Sequence, residues 1–160
     1  MTDHKQEAAG SKKSGRMYWL LIVALVISFI VMNVLSLAQV NVFDDFYLNF
    51  SNAYIALLMV TAMGIIMLAV MWRMFKNKKL NIVLLIVFAA LFGLAFFFAR
   101  TETFIGNKLF LESMIPHHSR AILVCEESNI SDPEIKSLCQ EIIKSQQEEI
   151  DQMKEILKRY

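Results

Sequence analysis

The sequence predicts an all-α protein: three transmembrane helices followed by an extracytoplasmic antiparallel helical hairpin. Three observations carry that expectation. Three long runs without a charge occupy most of residues 18–99. Basic residues cluster before the first run and between the second and third, and are absent between the first and second. The charged remainder carries apolar residues at helical spacing on either side of Asp132-Pro133. The expected domains are a basic cytoplasmic tail at 1–16, a three-span membrane domain at 17–100, and an extracytoplasmic hairpin at 101–160. The spans are placed at about 18–38, 53–74 and 80–99.

Composition sets the class. Apolar residues make up 56% of the 160 residues and charged residues 19%, where soluble chains are roughly 45–50% apolar. Mean hydropathy is +0.47. Residues 17–72 hold only Asp44 and Asp45 as charges, and residues 80–99 hold none. A net charge of +1 argues against nucleic acid as a partner, because such domains are usually strongly basic. Two cysteines are too few for a disulfide scaffold or a four-thiolate zinc site.

Each run has the roughly 20 apolar residues that cross a bilayer core. Each must be helical, since lipid offers no partner to a free backbone amide. Lys5, Lys12, Lys13 and Arg16 precede the first span, and Arg73, Lys76, Lys78 and Lys79 separate the second from the third. Residues 39–52 between the first two spans contain no basic residue. Basic loops stay on the cytoplasmic side. The N-terminus is therefore expected inside the cytoplasmic (plasma) membrane and the C-terminal region outside. Ser36-Leu37-Ala38 resembles a signal-peptide cleavage triplet, but the apolar run exceeds a signal's 7–15 residues. An uncleaved span is the expectation.

In the second span Met59, Met63, Met67 and Met71 recur every four residues, with Met74 three further on. This spacing puts them on one slowly drifting helix face. They serve either as flexible apolar filler or as a ladder of soft thioether ligands suited to Cu(I). Gly64 beside them would admit a close neighbouring helix.

In the tail, residues 104–128 and 132–158 read as helices. Ser131 with Glu134 matches a capping box, and Asp132 with Pro133 is an alternative cap. A short loop makes the two helices antiparallel neighbours. Ile135, Leu138, Cys139, Ile142, Gln146, Glu149, Ile150, Met153 and Leu157 share one face of the second helix. Phe110, Met114, His118, Ala121 and Cys125 form the expected inward stripe of the first, with His117 at its edge and Pro116 just before. Folding about residue 130 sets His118 near Ile142, to within a turn. Met114, His117, His118, Gln146, Glu149 and Met153 then converge. Imidazole with thioether points to copper. A satisfied polar network of the histidines with Gln146 and Glu149 is the equal alternative. The same folding offsets Cys125 and Cys139 by about a turn, near the limit of disulfide reach, so two buried free thiols are the default and a bond is the alternative.

The residues Phe110-Leu-Glu-Ser-Met114-Ile-Pro-His117-His118-Ser-Arg-Ala121-Ile122, then Asp132-Pro133, then Ile142-Ile-Lys-Ser-Gln146-Gln-Glu-Glu149-Ile150-Asp-Gln-Met153, resemble domain of unknown function family 305. Its Met-Ile-Pro-His-His segment and Gln-x-x-Glu-Ile-x-x-Met pattern match in order and spacing over roughly 107–157. The spans, with Tyr47-Leu48-Asn49, resemble the family's membrane-anchored branch. The resemblance implies a ferritin-like helical half-bundle outside the membrane, with copper held by Met114, His117, His118 and Met153. Glu149 joins them, and Gln146 supports. Members often carry a further methionine after the histidines, where this chain reads Leu123-Val124-Cys125.

A copper-binding membrane protein is the leading expectation. The alternative is a membrane-anchored interaction module, in which two hairpins close a four-helix bundle as a homo-oligomer. A di-iron oxidase needs Glu-x-x-His on each of two helices. Met114 and Ile115 stand three residues before His117 and His118, so no enzyme is expected.

Overall fold

The computed structural model describes residues 3–160, with side chains from Gly15 onward. The side chains of Lys5, Lys12 and Lys13, which enter the orientation argument, lie outside the described residues. The described chain is all-helical. It runs α1 (Asp3–Leu35), a 3-10 turn (Phe43–Asp45), α2 (Phe50–Val70), α3 (Lys78–Thr101), α4 (Asn107–Glu127) and α5 (Pro133–Leu157). Gly15–Leu35, Phe50–Val70 and Lys78–Thr101 are long and apolar enough to cross a membrane. Helix α1 starts well before its apolar run. No proline interrupts residues 3–16, and an existing helix extends at far lower cost than a new one nucleates.

The chain forms two compact units. The first comprises residues 1–32 and 54–101. Its core joins Tyr18, Leu21 and Leu25 of α1, Val60 and Leu68 of α2, Phe75, and Phe88 of α3. The three helices meet at Gly64. A Cβ there would stand 3.0 Å from the Phe88 ring and 3.2 Å from Leu25, so glycine permits the expected close approach. The α2–α3 link is held by buried polar pairing. The Tyr18 hydroxyl donates to Asn81 Oδ1 at 2.6 Å, and Asn81 Nδ2 donates to the Phe75 carbonyl at 3.0 Å. The Lys78 ammonium donates to the Trp72 carbonyl at 2.6 Å, satisfying an acceptor that the end of α2 leaves free.

The second unit comprises residues 33–53 and 102–160. Helix α5 begins at Asp132, whose carboxylate accepts from the amides of Glu134 and Ile135, with Pro133 in the first turn. Of the two caps the sequence allowed, this is the one used. Helices α4 and α5 pack on one another around Ile115, Ile122 and Ile150. Cys125 and Cys139 form a disulfide with Cα atoms 5.3 Å apart. Free thiols were expected because the fold was centred near residue 130. The Cys125–Cys139 pairing centres the fold near 132 instead, and the cysteines lie opposite each other.

The buried face of α4 also differs from the expected stripe. It is Leu111, Ile115, Pro116, Ser119 and Ile122, while Phe110 is exposed. On α5 only Ile150 is fully covered, and Ile135 and Leu138 are exposed. The reason is a third layer. Residues 33–53 pack on the helix pair and select the neighbouring face. Tyr47 joins the core with Ile143, Met153 and Leu157. The Asn41 amide donates to Ser119 Oγ at 2.8 Å. Lys154 Nζ lies 2.6 Å from Asp44 and 2.7 Å from the buried Asp45.

Candidate metal centre

Helix α4 presents His117 and His118 in succession, about two turns after its first turn at Asn107–Phe110 and directly behind the buried Pro116. Their ring centroids are 5.8 Å apart at 60°. His117 is exposed. His118 is largely covered, its side chain 12% accessible. From α5, Glu149 brings Oε2 to 2.9 Å from His118 Nδ1. The pair is close enough for an ionic contact, but it lacks hydrogen-bond alignment, so Nδ1 is a buried nitrogen without a hydrogen-bond partner.

The other expected members are placed as follows. Met114 is half-buried one turn before His118, and Gln146 is half-buried on α5. Met153 packs into the apolar core with Ile115, Ile122 and Ile150. Glu149 was expected on a buried stripe, yet its side chain is 51% accessible. The partner of His118 is Glu149 rather than the level of Ile142, a displacement in the same direction as the one that aligns the cysteines. Cys125 is in the disulfide and offers no thiolate. In the first unit Met63, Met67 and Met71 pack against the core, while Met59 is exposed. Among the described residues no three or more His, Cys, Asp or Glu side chains gather as a metal-holding group. An ion at the histidines would therefore draw on thioether.

Sequence reasoning missed Asp45, Lys154, Asn41 and Ser119. A signal existed: Asp44 and Asp45 are the only charges in residues 17–72, and a carboxylate in such a stretch needs a cation. The Tyr47-Leu48-Asn49 segment also gains a physical meaning. Tyr47 fills the core. Asn49 Oδ1 accepts from the Asn52 amide at 2.8 Å, capping α2.

Burial of the ring holds His118 below its ordinary value near 6.5; the Glu149 carboxylate opposes the shift, and His117 adds to it. A folded-state value below the unfolded one means that the unfolded chain binds more protons in this range. Stability contributed by the neutral ring is then present above the ordinary value and lost as pH falls through the imidazole range. The second unit should unfold at lower temperature at about pH 5 than at about pH 7. His118→Gln should flatten that part of the profile; an unchanged profile would assign it to other groups.

The comparisons follow this division of the chain. The family described as Domain of unknown function (DUF305) matches residues 100–157. An uncharacterized protein of Acanthamoeba polyphaga mimivirus is 35% identical over 141 residues, covering 86% of this chain and 91% of that one. The chain belongs to the DUF305 family. The DUF305 match takes in α4 and α5 whole and includes both histidines and both cysteines. A second family of unknown function (DUF7977) matches residues 1–75. No solved structure matches the chain.

Proposed function

We propose that this DUF305 protein is a multi-pass membrane protein that presents its C-terminal helix pair outside the cytoplasmic membrane as a copper-binding module. Orientation is supported from two directions. The basic residues Arg73, Lys76, Lys78 and Lys79 stand between α2 and α3, where the positive-inside rule keeps them cytoplasmic. The Cys125–Cys139 disulfide belongs to an oxidising compartment. A reporter fused after Tyr160 should be active only outside, and one fused at Lys78 only inside; a cytoplasmic C-terminus would overturn this orientation.

The observation that carries the metal reading is the pair His117 and His118, with the buried and unaligned Nδ1 of His118. A neutral imidazole is a ligand, and burial favours that neutral form here. Met114 would supply thioether from the same helix, with Glu149, Met153 and Gln146 reaching from α5. Imidazole and thioether are soft enough to favour Cu(I). Such an ion would be bound and buffered without a change in oxidation state, and a ferritin-like arrangement would accommodate it between facing helices.

Titration of the full-length protein with Cu(I) against a competing chelator tests this. His118→Ala should abolish binding at this site. Met114→Leu should weaken Cu(I) about tenfold or more while leaving Cu(II) less affected, because it removes sulfur and keeps volume. Glu149→Gln should leave Cu(I) affinity nearly unchanged. Equal Cu(I) binding by the wild type and His118→Ala would reject the reading.

A second reading rests on a different observation. Phe110, Val124, Ile135 and Leu138 of the helix pair are exposed. Association of two copies over these side chains would cover them. A concentration-dependent dimer, lost in Ile135→Glu with Leu138→Glu, would favour that reading.

A further inference from the structure

We propose that the membrane unit contains a second, separate Cu(I) site built from thioethers alone: Met17, Met67, Met71 and Met74. These four line one cavity of ≈ 260 Å³ together with Leu20, Leu21, Ala24 and Phe75. The site shares no residue with the histidine centre.

The sequence supplies three of the sulfurs through helical spacing. Met67 and Met71 are four apart, and Met74 follows by three, which keeps all three on one side of the chain as α2 ends. Met17 comes from α1 and is the member that spacing alone does not reveal. Methionine is half of the lining, although the chain has 10 in 160 residues.

A packing role predicts a different result. Methionine is the flexible residue that fills irregular gaps. Here the four side chains border a groove that is open along the exposed Leu20, Ala24 and Met74. Their three rotatable bonds let the sulfurs move inward onto an ion.

The chemistry of the wall selects the ion. All eight lining side chains are apolar or thioether, so a hard cation would lose its hydration and gain no oxygen ligand. A soft monovalent ion loses less and gains sulfur. Arg16, Arg73, Lys76, Lys78 and Lys79, near in sequence, are exposed, so solvent and salt screen their repulsion. Met74 is also exposed and gives the ion a route in.

The test uses purified full-length protein in detergent, titrated with Cu(I) held reduced by ascorbate against a competing chelator. Met17→Leu, Met67→Leu, Met71→Leu and Met74→Leu together keep the apolar volume and remove the sulfur. This variant should bind one Cu(I) fewer than the wild type. His117→Ala with His118→Ala should retain the cavity ion. Binding by the leucine variant equal to that of the wild type would overturn the cavity site and leave the histidine reading intact. Binding by the histidine variant equal to that of the wild type would reject the histidine reading instead. A second measurement avoids any folding defect of the variants. In the wild type, Ag(I) should slow peroxide oxidation of Met17, Met67, Met71 and Met74 at least tenfold, read by mass spectrometry of peptides. Equal oxidation rates with and without Ag(I), or a lipid acyl chain occupying the cavity and unaffected by Ag(I), would overturn the proposal.

Discussion

Lys154→Met should lower the stability of the unit formed by residues 33–53 and 102–160 by about 3 kcal/mol. The reason is Asp45. Its carboxylate is almost fully buried, 3% accessible, and Lys154 Nζ is 2.7 Å away. Removing one partner of a buried pair leaves an uncompensated charge, at a cost of about 3–5 kcal/mol. The lower end applies because Lys154 itself is partly accessible. Asp44→Asn gives the contrast. Asp44 also meets Lys154, at 2.6 Å, but it is exposed, and exposed pairs contribute little. Urea unfolding of the full-length protein should therefore separate the two variants clearly. Lys154→Met with Asp45→Leu should recover part of the loss, since the charge left alone is then absent. Equal small effects of Lys154→Met and Asp44→Asn would show that Asp45 is not held as described.

Removal of the disulfide should be comparably large. Cys125 and Cys139 are 14 residues apart. Closing a loop of about 15 residues restricts the unfolded chain by about 3 kcal/mol in the chain-entropy account. Cys125→Ser with Cys139→Ser should show that loss in oxidising buffer. The wild type should show it on adding a reductant, and the variant should not respond. Thiol labelling of denatured, unreduced wild type should find no free cysteine. Full labelling would contradict the bond and would remove one of the two supports for an outward orientation.

The membrane helices were legible because their signal is local: an uncharged run of sufficient length needs no partner to be read. Asp132-Pro133 was legible for the same reason, since a cap acts within three residues. The helix pair was harder. Its register depends on where the turn is centred, and a shift of two residues in that centre moves His118 from the level of Ile142 to that of Gln146, within a turn of its partner Glu149. The same shift turns two thiols into a disulfide. Residues 33–53 were not legible as part of this unit. They carry no periodic apolar face, and one of their ties, Lys154 to Asp44, joins positions 110 residues apart. That hidden layer also explains why the buried face of α4 is Leu111, Ile115 and Ile122 rather than Phe110, Met114 and Ala121. Spacing shows which residues share a face, but not which of two apolar faces another segment will cover.

Copper held by the histidine pair of α4, as proposed, is open to a single comparison. The most direct measurement is the copper content of untagged full-length protein purified from copper-supplied cells, compared between the wild type and His117→Ala with His118→Ala. The variant should hold one copper per chain fewer, with the Cys125–Cys139 bond and helix content unchanged. An equal copper content in the two proteins would contradict it.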